Sequence, residues 1–141
     1  MNISFGRPPV WNELNAAFGI ANLKRGIVFA YVDTVYNPDG VDIPEHLAVH
    51  ESVHMAQQSN DRTAAGLWYQ RYIADPAFRL AQEAEAYGAQ YAFICARVAR
   101  DRNARFRWLH ALARDLSGPL YGNMVTLHGA MRAIREAAGS E

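Results

Sequence analysis

The sequence predicts an α+β fold, in which a small N-terminal strand region precedes a mostly helical body. Residues 26–36 are dense in β-branched and aromatic types and end at a turn signal, Asn37-Pro38-Asp39-Gly40. From Pro44 onward the chain changes to alanine, leucine, glutamate and glutamine, with recurring helix-start signals. The 141 residues contain no repeat of fixed period and no linker rich in Gly, Ser or Pro. We therefore expect one domain over residues 1–141.

Five helices follow the predicted strand, and three of them have clear start signals. Pro44 occupies a first helical position, Asp61 can cap the second helix, and Asp75 followed by Pro76 repeats the combination of cap and proline. The predicted helices cover, in order, about residues 44–58, 61–72, 76–99, 103–115 and 122–137.

Composition excludes several classes of protein. Fourteen basic side chains balance fourteen acidic ones, which argues against a protein that coats nucleic acid through bulk charge. The single cysteine, Cys95, excludes an internal disulfide and a cysteine-rich zinc finger, and we expect it to be a small buried apolar residue. The first residues lack a secretory signal, and the longest apolar stretch, Ile27 to Val32, is far shorter than the roughly twenty residues of a membrane span. These features predict a soluble, cytoplasmic protein.

The first predicted helix contains His50-Glu51-Ser52-Val53-His54, which matches the pattern H-E-x-x-H. At about 3.6 residues per turn, the two histidines stand on one face and can direct ring nitrogens at the same ion. Glu51 lies beside them, where it can take a proton from a water that zinc has acidified. The motif thus predicts a catalytic zinc site, the alternative being two surface histidines and a salt-bridging glutamate. His46, about 40° round the helix from His50, is expected to be solvated.

A catalytic zinc of this kind needs a third protein ligand, and the third predicted helix offers Glu83 and Glu85. The large apolar residues of that helix gather in one sector: Leu80, Tyr87, Tyr91, Ile94 and Val98. Glu83 stands about 60° from the centre of this sector, and Glu85 about 140° away. A carboxylate at the edge of an apolar face is costly unless it is paired. Glu83 is therefore the predicted ligand, and Glu85 the predicted surface charge.

Three stretches together resemble a known family. They are His50-Glu51-Ser52-Val53-His54-Met55-Ala56-Gln57-Gln58, Asp75-Pro76-Ala77-Phe78-Arg79 and Gln82-Glu83-Ala84-Glu85-Ala86-Tyr87. The strand, the motif helix and the later glutamate helix resemble the glutamate-ligand zincin metallopeptidases (gluzincins), in particular their minimal forms (minigluzincins). They also resemble small metallopeptidases encoded in bacterial and phage genomes. The resemblance covers about residues 26–91.

The resemblance implies a zincin-like fold with an active-site helix pair. It implies a zinc-dependent metallopeptidase that holds Zn²⁺ through His50, His54 and Glu83 and hydrolyses peptide bonds with Glu51 as general base. It also implies that Val28 to Val35 is an exposed strand edge that aligns an extended peptide or protein substrate, the alternative being an interior strand.

The resemblance further assigns roles to three downstream positions. The family's third ligand opens a Glu-x-x-Ala-Asp run whose aspartate supports a metal-binding histidine, and Tyr87 occupies that position here. A tyrosine brings one hydrogen bond but no negative charge. Zincins commonly have a later donor to the oxyanion, and Tyr121 and His128 are the candidates. Otherwise His128, in an apolar stripe, is expected to be a core histidine.

Two other functions remain open at this point. Tyr87 keeps open a zinc-stabilised binding or structural module without turnover. The arginine-rich segment 97–114 could dock nucleic acid, with Phe106 and Trp108 as interleaved aromatics. We favour a solvated outer face for these arginines, because the same segment has an apolar inward face. That predicted inward face consists of Phe106, Leu109, Leu112, Ala113 and Leu116.

Overall fold

The computed structural model describes residues 1–23 and 26–139. Within these ranges the protein is mostly helical with a small three-stranded sheet, which confirms the predicted α+β fold class. The strands are β1 (Asn2–Ser4), β2 (Phe29–Tyr31) and β3 (Thr34–Tyr36). The helices are α1 (Trp11–Phe18), α2 (Glu45–Gln57), α3 (Arg62–Ala74), α4 (Pro76–Val98), α5 (Arg102–Leu116) and α6 (Leu127–Ala138). Short 3₁₀ turns cover Ile20–Asn22 and Pro119–Tyr121.

The predicted strand over 26–36 is a hairpin rather than one strand. β2 pairs antiparallel with β3, β1 pairs parallel with the other side of β3, and the strand order is β1-β3-β2. The turn lies at Val32, which has a φ of 60°. A β-branched residue is uncommon at positive φ, so the sequence carries no turn signal at this position. β1 has only three residues, too few for a recognisable pattern.

Four of the five predicted helices, α2 to α5, lie within one or two residues of the expected bounds. Two aspartate caps form as predicted: Asp61 accepts from the Ala64 N–H at 2.8 Å, and Asp75 accepts from the next helix's first turn. The last helix begins at Leu127 rather than 122, because a 3₁₀ turn precedes it and Thr126 is its cap. Helix α1 was not predicted, and no side chain caps its start.

Helix α4 is the central element of the core. It packs against α2, α3, α5 and α6, and β2 packs against α2. Gly88 lets α4 approach α6 closely, since a Cβ at this position would lie 2.6 Å from the Cβ of Ala137. The packing sets the motif helix α2 beside the glutamate helix α4 and brings β2 alongside α2.

Arg79 links three segments of the chain through its side chain. Although its side chain is buried, it donates from Nε to the Tyr121 carbonyl at 3.0 Å and from Nη1 to the Tyr72 carbonyl at 2.7 Å. Its guanidinium also lies 4.9 Å from the centre of the Phe18 ring. These contacts attach the Pro119–Tyr121 turn and α1 to the α3–α4 junction, next to the candidate site.

One expectation about the inward face of α5 is wrong. Phe106 is 55% exposed, whereas Leu109, Leu112, Ala113 and Leu116 are buried as predicted. Phe106 lies in the second turn of α5, near the start of the helix. Cys95 is half-buried against the core. Among the described residues, no helix combines the length and apolar character needed to cross a membrane.

Candidate metal centre

Helix α2 presents the motif residues inward. His50, Glu51 and His54 are 3%, 4% and 5% exposed, so the alternative of two surface histidines is excluded. The two imidazoles lie one turn apart on the face that meets α4, and their Nε2 atoms are 3.2 Å apart. Packing against α4 therefore buries two histidines and a glutamate that would otherwise be well hydrated.

Glu83 of α4 completes a compact group with these histidines. Its Oε1 lies 3.2 Å from His50 Nε2 and 3.2 Å from His54 Nε2. Three ligand atoms around a tetrahedral zinc, each at about 2.0–2.1 Å, are about 3.3 Å apart, so the observed triangle fits such an ion. His50, His54 and Glu83 are all buried and could hold one metal ion. Glu85 is exposed and accepts a hydrogen bond from Gln57 at 3.1 Å, as expected for a surface charge.

Two glutamines contact the far sides of the histidine rings. His50 Nδ1 lies 2.9 Å from Gln90 Oε1, and His54 Nδ1 lies 2.8 Å from Gln57 Oε1. Gln90 Nε2 in turn donates to Nδ1 of His46 at 2.8 Å. His46 was expected to be solvated, but it is half-buried and contacts both this amide and the Trp108 ring.

Tyr87 contacts His50 through its aromatic ring. Its ring packs edge-on against His50, with centroids 4.4 Å apart, and its hydroxyl pairs with that of Tyr121 at 2.7 Å. Gln90, three residues further along α4, makes the polar contact to His50 instead. Gln57 and Gln90 were not predicted as site residues, although their helical spacing, three from His54 and seven from Glu83, indicates the same faces of α2 and α4.

Tyr72 is a further residue that the motif did not reveal. Its hydroxyl donates to Glu83 Oε2 at 2.7 Å, and this oxygen also lies 3.2 Å from His54 Nε2. Burial raises the pKa of Tyr72 well above its usual value, so the phenol stays protonated and remains a donor.

Burial and the neighbouring charged groups shift the pKa values of Glu51, His54 and Glu83 in opposite directions. Burial raises the pKa of Glu51, while His50, His54 and a hydrogen bond from the Ala30 N–H act in the opposite direction. Burial alone would lower the pKa of His54, but Glu83 outweighs it and the pKa rises to about 9. Burial likewise opposes ionisation of Glu83, yet the histidines hold the pKa of its carboxyl well below the usual range. The group is thus organised around a Glu83 carboxylate that attracts positive charge.

Two cavities meet at His50 and Glu51. The first, about 50 Å³, has room for a few water molecules and reaches His54 and Glu83 as well. Apart from these site residues, its lining is apolar and aromatic: Leu14, Phe18, Ile20, Ile27, Val28, Phe29, Ala30, Trp68, Tyr69, Tyr72, Leu120 and Tyr121. The second, about 90 Å³, is bordered by Gln90 and Asp115 among others. Glu51 therefore borders both spaces in which a reactant could lie.

Of the two downstream candidates for an oxyanion donor, the structure brings only Tyr121 to the site. Tyr121 is buried and lines both cavities. His128 is exposed at the start of α6 and lines neither cavity, so the expectation of a core histidine is also wrong. His128 lies outside the buried face of α6, which consists of Ala130, Met131 and Ile134.

Main-chain groups of the predicted strand edge from Val28 to Val35 form hydrogen bonds with side chains of the protein itself. The Ala30 carbonyl accepts hydrogen bonds from Gln58 Nε2, at 3.1 Å, and from the Tyr69 hydroxyl. The Ala30 N–H binds Glu51, and the Val32 N–H donates to Gln58 Oε1 at 2.8 Å. β2 is an edge strand by topology, and the residues that precede it, Gly26, Ile27 and Val28, line the cavities without these contacts.

The arginines of segment 97–114 line neither of the two cavities. Arg97, Arg100, Arg102, Arg107 and Arg114 are exposed, and Arg105 is half-buried. The Arg97 guanidinium lies over the Phe93 ring and 3.6 Å from the Glu45 carboxylate. This arrangement agrees with a solvated outer face.

Comparison of the chain with protein-family models, with curated proteins and with solved structures found no match.

Proposed function

We propose that this protein is a zinc-dependent metallopeptidase of the glutamate-ligand zincin type. The observation that carries the proposal is the convergence of His50, His54 and Glu83 on one point, with Glu51 beside them at the junction of two cavities. Two imidazoles and one carboxylate are a ligand set that catalytic zinc uses, with a fourth position left for water or substrate. A zinc hydrolase of this type needs this combination, whereas a helix–helix contact alone does not.

A zinc ion held by these residues would supply Lewis acidity, which acidifies a water and polarises a carbonyl oxygen. Glu51 can accept the proton of an attacking water and return it to the leaving amine. The Ala30 N–H fixes the Glu51 carboxylate for this task. Burial raises the pKa of Tyr121, so its protonated phenol can donate to the carbonyl oxygen of a substrate in the cavity.

The proposed substrate is a peptide or a protein segment. The apolar and aromatic lining of the first cavity favours an apolar side chain next to the bond that is cleaved. The Ala30 carbonyl and the Val32 N–H already form hydrogen bonds with Gln58. Main-chain pairing with a substrate would therefore be confined to the segment before Phe29. The balanced charge argues against nucleic acid as the main partner.

A second candidate is a zinc-stabilised module without turnover. The features that favour it are the burial of all three ligands, at most 5% exposed, and Tyr87 in the position where zincins have a carboxylate. In that case zinc would join α2 to α4, and Glu51 would serve only to bind the Ala30 N–H.

The metal content of the purified protein, measured by elemental mass spectrometry, tests the site itself. We expect about one zinc per chain in the parent and a large loss in Glu83→Ala. Glu85→Ala is the matched control, because it removes the neighbouring exposed carboxylate of the same helix. A parent that takes up no zinc after reconstitution would refute the metal site.

Cleavage of a mixed peptide library, read as new termini by mass spectrometry, tests the activity. Glu51→Gln should keep zinc, because the amide oxygen can still accept from the Ala30 N–H, and should lose at least about a hundredfold in rate. Equal cleavage by parent and variant would exclude Glu51 as the base. A zinc-loaded parent that cleaves nothing would favour the module without turnover.

A further inference from the structure

We propose that Gln57 and Gln90 are positioning residues that fix both candidate metal-binding histidines in the tautomer with bare Nε2 atoms. This inference rests on the metal-binding part of the proposed function and not on peptide cleavage. The two glutamines thereby replace, with neutral carbonyl oxygens, the carboxylate support that the resemblance implies at Tyr87. The ligand class is a divalent cation that accepts imidazole nitrogen and carboxylate oxygen.

Gln57 determines the tautomer of His54. Gln57 Nε2 donates to the Gln82 carbonyl at 3.0 Å and to Glu85 Oε1 at 3.1 Å. Both partners can only accept, so the amide nitrogen must lie on their side and Oε1 must face His54. A carbonyl oxygen 2.8 Å from His54 Nδ1 requires a proton on Nδ1. The neutral ring then has a bare Nε2, directed at Glu83 and His50.

Gln90 does the same for His50. The amide lies with Oε1 2.9 Å from His50 Nδ1 and Nε2 2.8 Å from His46 Nδ1, and in this orientation Oε1 accepts from the His50 Nδ1–H while Nε2 donates to His46. Gln90 is only 3% exposed, so these bonds are shielded from bulk water. His46, held against the Trp108 ring, thus orients the amide that orients the ligand. A bare Nε2 on His50 is the result.

These two tautomers make the pocket complementary to a cation. Two imidazole nitrogens and a carboxylate oxygen then converge at 3.2 Å from one another, an arrangement that a divalent cation satisfies. Because glutamine is neutral, Gln57 and Gln90 add no negative charge to that of Glu83 and Glu51. A carboxylate in place of Gln90 would add negative charge beside His50 and strengthen metal binding.

The test is zinc affinity, measured by competition with a chromophoric chelator on full-length variants. Methionine matches glutamine in length and cannot accept these hydrogen bonds well, so Gln57→Met and Gln90→Met should each weaken zinc binding about 10–100-fold. Gln90→Glu keeps an acceptor oxygen and should bind zinc at least as tightly as the parent. Gln58→Met is the matched control, since Gln58 is fully buried but binds β2 rather than a histidine. It should lower thermal stability and leave zinc affinity within about threefold.

A spectroscopic measurement separates positioning from mere packing. In the zinc-loaded parent, ¹⁵N-labelled imidazole signals should report protonated Nδ1 atoms on His50 and His54, and in Gln90→Met the His50 signal should lose the shift of a strong hydrogen bond. Should Gln90→Met fail to fold, Gln57→Met carries the test, because Gln57 is half-buried at the end of α2.

The outcomes are distinguishable from those of the proposed function. Methionine variants that bind zinc as the parent does would overturn the positioning role, whatever the peptidase activity. A parent that binds no zinc would overturn it together with the metal site. A parent that binds zinc and loses affinity in the methionine variants, yet cleaves no peptide, would support the positioning role and contradict only the peptidase.

Discussion

At the scale of single residues, hydroxyl and amide groups outside the H-E-x-x-H motif hold the candidate centre in shape. The motif accounts for two imidazoles and one carboxylate on α2. The position of Glu83 depends on Tyr72, and the ring orientations depend on Gln57 and Gln90. Each of these contacts satisfies a polar atom that would be costly to leave bare in a buried site.

Replacement of Tyr72 tests this support directly. Tyr72→Phe removes the hydroxyl that binds Glu83 Oε2, so we expect zinc affinity to fall about tenfold. Tyr69→Phe is the matched control on α3, because the Ala30 carbonyl that it binds keeps its bond from Gln58. Chelator competition should therefore show a loss for the first variant and little change for the second. Equal affinities in both would mean that Tyr72 does not hold Glu83.

At the scale of elements, the geometry of the centre is set by how closely α4 packs against its neighbours. α4 supplies both Glu83 and Gln90, and it is capped at its start by Asp75. Its face at Gly88 meets α6, while its other face meets α2. A shift of α4 away from α6 would therefore displace the ligand and its supporting glutamine together.

A pair of glycine substitutions tests the packing of α4. Gly88→Ala would place a Cβ 2.6 Å from Ala137 Cβ and 2.9 Å from the Ala137 carbonyl carbon, so we expect a loss of about 1–3 kcal/mol in the free energy of unfolding. Gly66→Ala, within α3, meets nothing within 4 Å and should gain up to about 1 kcal/mol from helix propensity. Urea denaturation measures both. A neutral Gly88→Ala would mean that α4 and α6 can separate freely.

At the scale of the whole molecule, the candidate centre joins the two halves of the fold. His50 and His54 belong to α2, against which β2 packs. Glu83 belongs to the group of helices α3 to α6. An ion bound to all three would link these parts in the folded state only. Metal binding is then linked to the free energy of unfolding.

Thermal unfolding with and without zinc tests this linkage. At free zinc about a hundredfold above its dissociation constant, binding should stabilise the parent by about 2.7 kcal/mol and raise Tm by about 10 °C. A chelator should reverse the shift, and Glu83→Ala should show almost none. The measurement is calorimetry. If the Tm of the parent were the same with zinc and with chelator, a metal ion that bridges α2 and α4 would be excluded.

The sequence alone was enough to predict features that depend on residues within a turn or two of one another. These are the mostly helical α+β class, the aspartate caps of α3 and α4, the common face of His50 and His54, and the choice of Glu83 over Glu85 as the inward carboxylate. Each of these features follows from helical periodicity or from a hydrogen bond between residues close in sequence. Both depend only on the local geometry of the chain.

The tertiary structure decided everything that depends on contacts between distant segments. It made Gln90, forty residues from His50, the partner of that ring in place of Tyr87, and it used the edge of β2 for bonds to α2 and α3. It also turned the chain at Val32, exposed Phe106 and brought Tyr121 rather than His128 to the cavity. The physical reason is that burial and hydrogen-bond partners across elements are set by how helices pack, and spacing along the chain does not encode that packing.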